Sequence, residues 1–169
     1  MNSAYIVNQL EKHKAVIPAL LTTASQGAHL WKASPDTWCL LEVVCHLVDE
    51  EIDDFRTRLK TALAPEIHPF IPINPVAWVS EHSYMEQDYQ QKVTDWVAER
   101  EKSLNWLKSL EHPDWNSAFV HDQLGPMTAG KILANWLAHD YMHIRQILRI
   151  KHAYLAETSE QDLSYAGPW

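Results

Sequence analysis

The stretch TAGKILANWLAHDYMHIRQILRIKHAY, residues 128–154, decides how the rest of the chain is read. Ile132, Leu133, Trp136, Leu137, Ile144, Ile147 and Leu148 recur at three- and four-residue steps, which predicts a helix with a wide apolar face opening just after Gly125-Pro126. On the line Ile132, Trp136, His139, His143, Gln146, Ile150, two histidines stand four apart with apolar residues at both ends. One helical turn separates them, so both imidazoles can reach a single metal ion. With ten histidines in 169 residues the spacing alone carries little weight. Their inward direction gives it weight, because unpaired polar groups are costly in a core.

Three further stretches share the helical period. Ile6, Leu10, Ile17, Leu20, Leu21 and Ala24 line one face of a helix over about residues 3–26, which Pro18 should kink or split. Val44, Leu47, Val48, Ile52, Phe55 and Leu59 line a second over about 40–63. There Cys39 and Glu42 have capping-box spacing, with Cys in the usual Ser position. Tyr89, Val93, Trp96, Val97, Leu104 and Leu107 line a third over about 85–110, with Ser83–Glu86 as its capping box and Pro113 closing it.

Four glycines, and no run of alternating β-branched residues, point away from sheets. The expectation is a single all-α domain over residues 1–169, a four-helix bundle. The connection between its second and third helices is unusually long and carries Pro65, Pro69, Pro72 and Pro75, which suits a crossover between distant helices or a lid over a site. Fourteen Lys+Arg against 22 Asp+Glu leave a net charge of −8, which argues against nucleic-acid or anionic-membrane partners. The first residues lack a signal-peptide core, and the longest apolar run, AVIPALL, is far short of a membrane span. A cytoplasmic protein with Cys39 and Cys45 as reduced thiols is expected.

The second helix repeats the inward polar pattern: Val43, His46, Glu50 and Asp53 fall on one line. His46 with His139 and His143 makes a three-nitrogen set, and three protein ligands leave a position for water or substrate, the catalytic arrangement. The competing reading buries the same imidazoles as hydrogen-bonded core residues. Glu50, one turn after His46, is the candidate general base or a further ligand, with Asp49 and Asp53 as weaker versions.

WCLLEVVCHLVDEE (38–51) resembles the second-helix motif of the DinB-like metal-binding four-helix bundles, where a Trp-Ser-x-x-Glu cap leads to a His-Leu pair. VHDQLGPMTAGKILANWLAHDYMHIRQI (120–147) is similar to their fourth-helix motif, and DLSYAGPW (162–169) to the tail of one branch. Carried over residue by residue, the family's metal-binding histidines fall on His46, His139 and His143. The chain departs at Cys39, where Ser is usual, a change worth about 0.5–1 kcal/mol of cap. It departs again at Ile144-Arg145, where many members carry Arg-Gly, so the direction of Arg145 is open. The resemblance implies a divalent ion, Zn or Ni by its imidazole ligands, that activates water for hydrolysis or a thiol for transfer. Some relatives are bacillithiol S-transferases, a related group is the mycothiol-dependent maleylpyruvate isomerases, and others are described only as metal-dependent hydrolases. A small-molecule substrate is therefore expected, with a low-molecular-weight thiol as one option. An anionic thiol wants a basic patch, for which Arg145 and Lys131 are the sequence's thin offering. A metal-binding stress or interaction protein without turnover is the alternative, and the tryptophan content is compatible with a homodimer.

Other candidates weigh less. His139–His143 resembles the zinc-protease HExxH pattern, but Asp140 is a methylene short of its Glu and no third ligand follows at the protease spacing. Asp140 then makes a structural contact or orients a ligand histidine. Cys45 points about 100° away from His46, against a nucleophilic pair. His121, in the loop before the fourth helix, is placed to touch the open side of the site, and Trp78, Tyr84, Tyr165 and Trp169 to line or cover it.

Overall fold

The computed structural model describes residues 1–22, 27–68 and 70–169. Ala24 and Pro69 of the sequence expectations lie outside them. Helix α1 spans Ser3–Leu21, capped by the Asn2 side chain, which accepts from the Tyr5 N–H. Pro18 lies inside its last turn without splitting it, and its carbonyl still accepts from the Thr22 N–H at 3.0 Å. Without an N–H, Pro18 cannot donate to the Lys14 carbonyl, so one intrahelical bond is missing there while the helix runs on to Leu21.

The second helical run is continuous from 40 to 63 but not uniform: α2 (Leu40–Asp49), a π-helical segment (Glu50–Arg56), then α3 (Thr57–Leu63). Glu42 accepts from the Cys39 N–H at 2.9 Å, so the carboxylate half of the expected capping box is made. At the start of α3 the Thr57 hydroxyl donates five residues back to the Ile52 carbonyl of the π segment at 2.7 Å. The same segment carries two adjacent buried carboxylates, Glu50 and Glu51.

The long connection, residues 64–88, carries α4 (Pro75–Glu81), with Pro75 at its first position and Asn74 as its cap. Helix α5 spans Tyr89–Ser109. The capping box expected at Ser83–Glu86 does not open it. Ser83 is left-handed (φ 46°) and Tyr84–Glu86 form a separate 3₁₀ turn, while Asp88 caps α5 by accepting from the Gln91 N–H at 2.7 Å. Strands β1 (Ala118–His121) and β2 (Gly125–Thr128) form an antiparallel hairpin with His121 opposite Gly125, a small departure from the all-helical expectation. Both are only four residues long, too short for a period-2 signal to emerge. Helix α6, Ala129–Ser159, follows at once with Thr128 as its cap.

Helix α1 packs on α5 and α6, α2 packs on α5, and α2 and α3 pack on α6, so the order around the bundle is α1, α6, α2–α3, α5. The long connection thus joins neighbouring helices and is not a crossover, and none of its described residues lines the cavity beside His46 and His143, so it is not a lid over that site. It is held to α2 by Asp49, which accepts from the Tyr84 hydroxyl and pairs with His82 Nδ1, both at 2.7 Å. No helix among the described residues is long and apolar enough to cross a membrane.

The interior holds two apolar clusters. One gathers Ile17, Val44, Leu47, Trp96 and Ile147, the other Leu10, Leu59, Leu104, Leu133 and Trp136. Between them lies a polar layer to which each long helical run contributes one residue: His13 (α1), Glu51 (π segment), Arg100 (α5) and Asp140 (α6).

Candidate metal centre

Arg100 is 1% exposed and fully engaged. Its Nε and Nη2 donate to the two Glu51 oxygens at 3.0 and 2.9 Å, and its Nη1 and Nη2 to the two Asp140 oxygens at 2.7 and 2.8 Å. Trp136 Nε1 donates to Glu51 at 3.0 Å, and His13 Nδ1 lies 2.9 Å from Asp140. Burial opposes the guanidinium charge, but the Glu51 and Asp140 carboxylates hold it and raise its pKa. Burial would likewise raise the Asp140 pKa, and Arg100 overrides it and draws it below the usual value. Asp140 is therefore committed to the bundle's central ion pair and makes no hydrogen bond to a site histidine.

One turn along, His139 and His143 of α6 meet His46 of α2. Their ring centroids are 4.3 Å apart for His139 and His143, 4.9 Å for His46 and His143, and 5.4 Å for His46 and His139. One nitrogen from each lies within 4.8 Å of the others, a group that could hold a metal ion. The rings are seated by aromatic neighbours: Trp38 edge-on to His46 at 5.0 Å, and Phe55 beside His139 at 5.0 Å. Gln146 Oε1 accepts from His143 Nδ1 at 2.7 Å, which leaves the lone pair on Nε2.

The donor set suits a divalent cation. Burial, reinforced by the neighbouring imidazoles, lowers His46 to about 3 and His139 to about 2, and burial lowers His143 as well. Three neutral imidazoles are what a borderline metal takes. His139 Nε2 and His143 Nε2 are 3.1 Å apart. Two nitrogens at about 2.0–2.1 Å from a shared tetrahedral ion stand roughly 3.3 Å apart. His46 Nδ1 is buried with no hydrogen-bond partner among the described residues, an uncompensated polar atom on a ring of the centre.

Glu50 lies one turn below, its Oε1 3.9 Å from His46 Nε2. Burial, with the Asp54 carboxyl beside it, pushes its pKa up to about 9. Asp49 is occupied by Tyr84 and His82, and Asp53 lines a different cavity near Trp78 and His82. His121 sits at the hairpin turn, where its Nδ1 accepts from the Gln123 N–H and its ring packs on Phe70, and it does not line the histidine cavity. Tyr165 is fully exposed and Trp169 stacks on His152. Cys39 and Cys45 are free, buried thiols, and desolvation pushes Cys45 up to about 12.

A cavity of about 570 Å³ opens the centre to solvent, with His46, His143 and Gln146 on its inner side and Trp38, Arg145 and Arg149 among its walls. Arg145 thus faces the site, whereas Lys131 is an exposed residue outside it.

Sequence reasoning passed over His13, Glu51 and Arg100, yet each stands on an apolar line: Ile6, Leu10, His13, Ile17; Val44, Leu47, Glu51, Phe55; Trp96, Arg100, Leu104, Leu107. A lone charged or polar residue on a buried stripe in several helices at once is the signal that would have found them.

A mostly helical bundle with a three-histidine centre between two of its helices defines the class. The chain belongs to the DinB superfamily, whose family model matches residues 9–147. The fold is similar to that of YfiT from Bacillus subtilis, described as "a probable metal-dependent hydrolase with an unusual four-helix bundle topology". The TM-score is 0.77 at 18% identity, over 89% of this chain and 86% of that one. None of the curated proteins compared with the chain matches it.

Proposed function

We propose that the chain is a metal-dependent hydrolase of small molecules, with His46, His139 and His143 as the ligands of one divalent ion. The observation that carries this reading is the convergence of three neutral imidazoles, two of which, His46 and His143, line an open cavity of about 570 Å³. A closed fourth ligand would instead have favoured a metal-binding protein without turnover. The description of YfiT as "a probable metal-dependent hydrolase" agrees with it. When bound, such an ion supplies a Lewis acid that lowers the pKa of a coordinated water or thiol. The chain's own residues do the rest. Gln146 fixes the ring of His143, and Trp38 and Phe55 seat His46 and His139. Glu50, protonated at neutral pH in the metal-free protein, is positioned to hold and pass a proton 3.9 Å from His46. A low-molecular-weight thiol is the second nucleophile the same donor set would serve.

The test is elemental analysis of tag-free protein beside His46→Ala and His139→Ala, followed by hydrolysis and thiol-transfer assays on metal-loaded wild type. About one equivalent of Zn or Ni per chain, lost in both variants, is expected. Wild type that holds none, and takes none up on incubation with either ion, refutes the reading. Turnover only in the thiol arm would replace hydrolase by transferase.

A further inference from the structure

The walls of the histidine cavity carry a feature that metal binding does not need. Arg145 and Arg149 stand one turn apart on α6, on the line next to His139 and His143, and both line the cavity. Neither makes an ion pair or hydrogen bond among the described residues. Most of the chain's other lysines and arginines near carboxylates are engaged: Lys14, Lys32, Arg56, Arg58, Arg100 and Lys108 all sit in ion pairs. Two exposed arginines that line one mouth and have no partner among the described residues are conspicuous in a chain of net charge −8. Like charges one turn apart repel, so the pair costs stability unless something negative sits between them.

Asp36 also lines the cavity, but it is an exposed residue that pairs with neither arginine, so the mouth keeps a net positive charge. The cavity continues past Arg149 into a second hollow of about 280 Å³ that shares Trp38 and Gln146 and adds Ile150 and Ala153. A molecule entering here meets neutral imidazoles on the inner side, two guanidiniums on α6, and an aromatic and aliphatic wall. Guanidinium forks match planar or tetrahedral oxyanions and bind them through charge-assisted hydrogen bonds.

We propose that Arg145 and Arg149 are the docking site for an oxyanionic group, carboxylate or phosphate, on a small organic substrate whose body lies against Trp38 and whose reactive group reaches the three histidines. This rests on the reading of those histidines as the reactive centre and assigns the substrate class that the centre takes. Both arginines act on substrate binding and orientation; neither is a metal ligand.

The test uses full-length protein, metal-loaded and metal-free, titrated with benzoate, phenyl phosphate and the neutral isostere benzamide. Binding is read by calorimetry and by the NMR shift of the Trp38 indole N–H. Both anions are expected to bind and to move the Trp38 resonance, with benzamide at least about tenfold weaker. Arg145→Gln/Arg149→Gln should lose about tenfold or more in anion affinity, lose the preference over benzamide, and keep wild-type metal content. Lys131→Gln should change none of these. A preference for phenyl phosphate over benzoate assigns phosphate as the source of the charge, and the reverse assigns carboxylate. Benzamide binding as tightly as benzoate, unchanged anion affinity in the double variant, or no Trp38 shift with either anion overturns the proposal. The metal reading fails separately, by absence of metal from wild type, while the anion titrations of metal-free protein still report on the arginines.

Discussion

Arg100→Met should be among the most destabilising single changes in this protein. The methionine keeps an unbranched apolar stem but deletes the guanidinium that serves Glu51 and Asp140, both about 1% exposed at the side chain. Four hydrogen bonds of 2.7–3.0 Å disappear together, with a longer one to the Leu10 carbonyl. Breaking a buried ion pair from one side costs about 3–5 kcal/mol, because the abandoned charge stays buried. For a domain of this size each kcal/mol lowers the melting temperature by about 2–4 °C, so a fall of roughly 6–20 °C is expected at pH 7. The pH dependence separates charge from packing. Asp140 has a lowered pKa in the folded protein, so its contribution is present above the usual carboxylate value and is lost as pH falls through the lowered one. Without Arg100, only the His13 contact opposes the effect of burial on Asp140, and burial, the largest influence, favours its neutral form, so acid relieves the variant. The gap between wild type and variant should therefore narrow from pH 7 toward pH 4 in circular-dichroism melts. A loss below about 3 °C, or a gap unchanged with pH, would refute the account of this layer as a charge-paired network.

Gln146→Leu removes the acceptor that orients His143, and metal affinity should fall about 10–100-fold with little change in melting temperature, measured by competition with a chelating dye. Glu50→Gln should retain metal yet lower turnover about 10²–10⁴-fold. Because burial and Asp54 raise Glu50 to about 9, charging it opposes folding at pH values above its unfolded value. The same substitution should then stabilise metal-free protein at pH 8 and not at pH 4. Native protein should resist iodoacetamide at pH 8, since Cys39 and Cys45 are buried and burial raises both thiols. Mass spectrometry should find both labelled once the chain is unfolded, and rapid native labelling would contradict the burial described here.

The sequence by itself determined the long helices and the faces they turn inward. Helix formation and amphipathicity are written at three- and four-residue spacing, so Ile132 to Ile150 and Val44 to Leu59 declare their direction without reference to the rest of the chain. His139 and His143 lie one turn apart whatever packs against them, and His46 stands on an inward line of its own helix. What no local spacing contains is the neighbour across the interface. Arg100 meets Asp140 forty residues away and His13 meets Asp140 from 127 residues away, and only the packing order α1, α6, α2–α3, α5 and its register bring those groups together. The tertiary structure likewise decided that Glu50 and Glu51 are both buried in a π-helical segment, because an α-helical reading turns adjacent residues 100° apart. It also turned Arg145 and Arg149 onto the histidine cavity, since the opposite wall, Trp38, arrives from a loop before α2 whose position follows from packing alone.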